Sequence, residues 1–138
     1  MNRLTTLLAC SLIFLLSFKG FSYTPQLAVA AAAKKAVIEK NLVKGLESGN
    51  DGVMLDAVYY LGEYKCEAGI IPLMKILNDH KNDRMRIMAA LALTKIGTGK
   101  SLYAVKQNSY LDDNESVRNF CFKFFAAAKG KKHSYIDN

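Results

Sequence analysis

The sequence predicts an all-α protein, a short α-solenoid of stacked antiparallel helical hairpins. Three observations predict it. Residue types recur at a spacing of 32, apolar positions within each copy fall four apart, and no stretch alternates with period two for long enough to make a sheet. The composition agrees. Of 138 residues 51% are hydrophobic, too many for a disordered chain. Only Pro25 and Pro72 are proline, which leaves room for long helices. The length suits one domain, with no room in it for a multidomain enzyme or a large transmembrane bundle.

Residues 1–22 read as an address rather than as part of the domain. Arg3 supplies a positive start, Leu7 to Phe18 an apolar run, and Gly20 and Ser22 small residues before a cleavage point after Ser22. The run is shorter than the ~20 apolar residues that a spanning helix needs. Leu7-Leu8-Ala9-Cys10 resembles a lipobox, but most of the apolar run follows Cys10 instead of preceding it. The expectation is a cleaved signal peptide and a secreted or periplasmic protein with no stable membrane span. A tethered adaptor that keeps the segment is the alternative. Removing Arg3 and Lys19 with it lowers the net charge from +7 to +5 over 116 residues.

The first helix of the domain is expected from Pro25, with Thr24 as its N-cap. Leu27 stands where a capping box would need Glu or Gln, so the box is incomplete. Ala28 and Ala30 to Ala33 favour helix, Val37, Ile38, Leu42 and Leu46 continue the pattern, and Gly49-Asn50 stops it.

Three copies of the repeat follow. Asn50, Asn82 and Asn114 align, as do Asp51, Asp83 and Glu115. A side-chain oxygen there can cap free N–H groups, and the negative charge suits the helix dipole. Val53, Met85 and Val117 come next, then Ala57, Ala89 and Cys121, then Leu61, Leu93 and Phe125. Spaced by four, they form one stripe with a small middle member that lets another helix approach. Arg86 and Arg118 align, opposite Met54 in the first copy. A shorter second helix is expected after each of the first two, over residues 68–77 and over residues 101–111 with Ser101 as cap. Each long helix and the short one after it would make a hairpin that needs its neighbours to bury its apolar face.

The runs from Leu77-Asn78-Asp79 to Met85-Arg86 with Ala89 to Leu93, and from Leu111-Asp112-Asp113 to Val117-Arg118, resemble HEAT-like repeats of the phycobilisome-lyase type. Their pattern is an aspartate, a hydrophobe–Arg pair, Ala-x-x-x-Leu and a glycine turn. The resemblance covers about residues 37 to 127. It implies an armadillo-type superhelix. Between the signal segment and the tail the domain is read as residues 23–128, and the extended surface of a stacked array is read as a non-catalytic scaffold for protein or peptide partners. The resemblance also carries the competing reading, a chromophore lyase or isomerase. Cys121 and Phe125 replace Ala and Leu in the third copy, as in a terminal capping repeat.

No catalytic set, cofactor or metal site is expected. Cys66 and Cys121 lie two repeats apart, roughly 20 Å if helix layers are about 10 Å thick, too far for a disulfide. Cys121 fits the core, and Cys66 a free thiol or an intermolecular link. His80 and His133 have no partners at metal-ligand spacing. Gly97-Thr98-Gly99-Lys100-Ser101 lacks the first glycine of a phosphate loop and the strand before it, and reads as a turn. Asp79 and Asp112 are expected to pair with Arg86 and Arg118 and brace adjacent repeats. Residues 129–138 read as a basic disordered tail.

The partner-facing surface of such an array is usually lined by the second helices. Ile71, Lys75, Tyr103, Lys106 and Tyr110 fall there outside the core stripe. Tyrosine and long-stemmed lysine suit a protein or peptide, an acidic one given the net charge. No nucleic-acid role is expected of an exported chain.

Overall fold

The structure, a computed structural model, describes residues 25–134, and their side chains over residues 28–130. The signal-peptide segment, Thr24 and residues 135–138 lie outside the described residues. Contacts divide the chain into residues 1–34 and 35–138. Of the first unit only the start of one helix is described, and the packing below belongs to the second.

Six α-helices follow in order: α1 Pro25–Gly45, α2 Asp51–Glu63, α3 Ile70–Asp79, α4 Asp83–Ile96, α5 Gly99–Leu111 and α6 Glu115–Ser134. A 3₁₀ turn, Glu67–Gly69, leads into α3, and no strand occurs among the described residues. The asparagines cap as their position requires. Asn50 Oδ1 accepts from the N–H groups of Gly52 and Val53 at 2.9 and 3.2 Å, Asn82 from Arg84 at 2.9 Å, and Asn114 from Ser116 and Val117 at 2.8 and 3.3 Å.

Boundaries differ from expectation in three places, the first being the short helix expected over residues 68–77, which spans Ile70–Asp79 after the 3₁₀ turn. The cap of α5 is Thr98, whose Oγ1 accepts from the Ser101 N–H at 3.2 Å, while Ser101 is buried inside the first turn. Gly97 ends α4 in the left-handed region at φ 73°, so a tight turn leaves Thr98 in the cap position. Helix α6 runs through to Ser134, so residues 129–134 are helical rather than part of a tail. Ala126 to Ala128 and the lysines that follow are good helix formers, and Gly130 alone costs only about 1 kcal/mol.

Helix α4 lies at the centre. It packs on α2 and α6 in one layer and on α3 and α5 in the other. The closest hairpins are α3 with α4 and α5 with α6, joined across the Asn turns. This corrects the expected pairing of each long helix with the short one after it. The turns at residues 80–82 and 112–114 are three residues long, which makes their helices antiparallel neighbours. Arginine clamps each of them: Arg86 Nη1 donates to the His80 carbonyl at 2.8 Å, and Arg118 Nη1 to the Asp112 carbonyl at 2.6 Å.

The core holds Val58, Leu61, Leu73, Leu77, Ala89, Ala90, Leu93, Val105, Val117 and Cys121, all buried. The stripe is buried in the second copy, but Val53 of the first is exposed. Gly62 sets the approach of α2 to α4. A Cβ there would stand 2.8 Å from the Ala92 Cα, so a larger residue would push two backbones apart.

Candidate partner-binding surface

Two of the expected bracing residues, Arg86 and Asp112, meet at the joint between the second and third copies. Arg86 Nε and Nη2 donate to the two carboxylate oxygens of Asp112, each at 3.0 Å. The side chains are only 12% and 4% exposed. Burial disfavours the Arg86 charge, but Asp112 and then Asp83, 2.8 Å away, outweigh it and leave the guanidinium pKa raised. Arg118 bonds to the Asp112 and Asp113 carbonyls instead of to a carboxylate. Asp79 is exposed at the end of α3 and, among the described residues, enters no ion pair. Asp83, one turn before Arg86, takes the place the sequence reading gave it. Further bonds cross the same joint, from Asn108 to Asn78 at 3.0 Å and from Asn114 to Asp83 at 2.6 Å. The joint between α2 and α4 carries the Lys95–Glu63 ion pair, which holds the Glu63 pKa below its ordinary value.

The five expected contact residues are all exposed on the α3/α5 layer: Ile71 and Lys75 on α3, Tyr103, Lys106 and Tyr110 on α5. The structure adds a second surface on the α2/α4/α6 layer. A groove of about 430 Å³ there is lined by Leu91, Thr94, Lys95, Phe124 and Ala127, with Glu63 at its edge. Tyr59 and Phe120 are exposed on this layer's helices. Lys95 Nζ lies 5.2 Å from the Tyr59 ring centre, and Lys123 Nζ 5.7 Å from that of Phe120.

The signal for this surface was present in the 32-residue spacing. Tyr59, Leu91 and Lys123 form one register row, and Glu63, Lys95 and Ala127 another. It went unread because the hairpin frame was one helix out of step. With α3–α4 and α5–α6 as units, the second helices are those of the groove layer.

The cysteines offer little chemistry. Cys66 and Cys121 are free and buried, and burial pushes both thiols up, Cys121 to about 12. At 1% exposure Cys66 is no site for an intermolecular link. His80 accepts a bond at Nδ1 from the Asn82 N–H at 3.1 Å, so it is engaged in the turn. Among the described residues no cluster of histidine, cysteine and carboxylate could hold a metal ion. No described helix is long and apolar enough to cross a membrane.

The arrangement is a row of helical hairpins repeated every 32 residues. The family model of HEAT repeats matches residues 39–120. This chain belongs to the HEAT-repeat family. HEAT repeats generally serve as scaffolds for protein interaction, and the family is generally non-catalytic. No curated protein and no solved structure matches the HEAT chain.

Proposed function

We propose that this HEAT-repeat chain is a non-catalytic scaffold or adaptor, exported to the periplasm or cell envelope, that holds a protein or peptide partner with acidic character. The observation that carries the reading is the α2/α4/α6 layer. Its groove is apolar along Leu91, Phe124 and Ala127 and flanked by Tyr59, Phe120, Lys95 and Lys123. Rigid aromatic rings lose little entropy when they grip a partner, lysine stems add apolar contact, and the lysine charge favours a carboxylate. The lysines and tyrosines of the α3/α5 layer, Lys75, Tyr103, Lys106 and Tyr110 beside Ile71, offer a second contact area of the same character. Export rests on residues 1–22.

Affinity capture from the native envelope fraction tests the scaffold role. Leu91→Glu should remove the partners that use the groove. Lys75→Glu with Lys106→Glu should weaken those that use the other layer while helicity is retained. Capture profiles unchanged in both variants would sink the proposal. Mass spectrometry of the mature N-terminus tests export: a start at Tyr23 supports it, and an intact Met1 points to the tethered adaptor. The lyase alternative needs a reactive group facing a cavity, and the buried thiols of Cys66 and Cys121 are not placed to be its nucleophile.

A further inference from the structure

Register positions that are buried in the middle of the array are exposed at its ends. On the side of each long helix that faces the following repeat, Val58 of α2 and Ala90 of α4 occupy one position and are fully buried. Phe122 of α6 holds the same position and is 59% exposed. On the opposite side, Met85, Ala92 and Ile96 of α4 are buried against the preceding repeat. Their counterparts on α2, Val53, Tyr60 and Tyr64, are 48%, 43% and 55% exposed. Terminal repeats of soluble arrays carry a polar outer face. The outermost described repeats carry aromatic rings there instead, Tyr60 and Tyr64 on one side and Phe122 on the other.

The polar ladder is open at the same end. Arg86 uses Nη1 on the turn carbonyl and Nε with Nη2 on Asp112 of the next copy. Arg118 repeats the carbonyl bond, and its Nε and Nη2 meet no carboxylate among the described residues. The position that Asp112 holds, moved back by two repeats, is Ser48, exposed in the turn between α1 and α2. In the 32-residue register, Asn50 and Glu115 hold the positions of Asn114 and Asp83, which bond at the internal joint.

We propose that the face of α6 bearing Phe122 and Arg118 docks the face of α2 bearing Val53, Tyr60 and Tyr64 of a second copy of this chain. The contact continues the α2–α4 and α4–α6 stacking across molecules. The Ser48 hydroxyl of the incoming copy accepts from Arg118 in place of a carboxylate, and its Asn50 bonds Glu115. Because the two faces differ, the contact is head-to-tail and leaves an open face at each end for further copies.

Sedimentation velocity of the purified protein, from micromolar to submillimolar concentration, should show a mass that rises with concentration beyond a dimer. Phe122→Glu and Tyr60→Glu each place a charge on an exposed site, so circular dichroism should be unchanged, and each variant alone should be monomeric. Mixed in equal amounts, they should form a dimer of one copy of each and nothing larger, because each retains one working face. Ser48→Asp, which restores the carboxylate that Asp112 supplies inside the chain, should strengthen assembly of the otherwise unaltered chain. A protein that stays monomeric at its highest soluble concentration overturns the proposal. So does assembly that survives in either variant, or one that Phe122→Glu abolishes and Tyr60→Glu does not, the mark of a symmetric α6–α6 contact.

Discussion

Asp112→Ala is the sharpest test of how the repeats are joined. It removes both carboxylate oxygens that Arg86 holds at 3.0 Å and leaves a guanidinium in a site where that side chain is only 12% exposed. Breaking a buried pair by deleting one partner costs about 3–5 kcal/mol. Asp83, 2.8 Å away and about half exposed, still compensates in part, which puts the cost near the lower figure, about 3 kcal/mol. At about 4–8 °C per kcal/mol for a domain of this size, the melting midpoint should fall by about 15 °C. The assay is urea unfolding followed by circular dichroism, with Arg86→Met and the double variant completing a thermodynamic cycle. The double variant should lose less than the sum of the two single ones. Its apolar Met copies the first repeat, where Met54 stands at the arginine position. A loss below about 1 kcal/mol, the range of exposed pairs, would refute the argument that burial makes this contact matter.

Three further outcomes are expected. Gly62→Ala should destabilise by about 1–3 kcal/mol, because its Cβ would meet the backbone of Ala92, and a neutral denaturation midpoint would show that α2 and α4 can move apart freely. Leu93→Ala should cost about 2–5 kcal/mol as a truncation at a fully buried site, read from the same unfolding curves. Cys66 and Cys121 should react with a thiol reagent only at the rate of unfolding, since both are buried with raised pKa values, and rapid labelling in native buffer would contradict the packing around them.

The helices and their starts were legible because each depends on local chemistry. Asn50, Asn82 and Asn114 announce a helix by the oxygen they can offer to the next N–H groups, and the stripe through Ala89 and Leu93 announces its buried side. The hairpin frame was less legible. Any alternation of long and short helices can be divided in two ways, and only contacts distant in sequence decide between them. Arg86 illustrates this: the sequence offered Asp79 and Asp112 together to Arg86 and Arg118, and only the fold shows that Arg86 takes Asp112, 26 residues away, with Asp83 beside it. The groove was hidden by the same frame. The end of α6 was misjudged because Gly130 and the lysines look like loop chemistry, yet an established helix carries on through them.

Asn114 performs two tasks with one side chain. Its oxygen holds the first turn of α6, and its amide nitrogen grips Asp83 on the preceding repeat. Fraying at the start of that helix therefore loosens its neighbour, and any slip between neighbours frees the end to fray. Coil and stack should melt as one event, which gives so short an array the cooperativity of a globular domain.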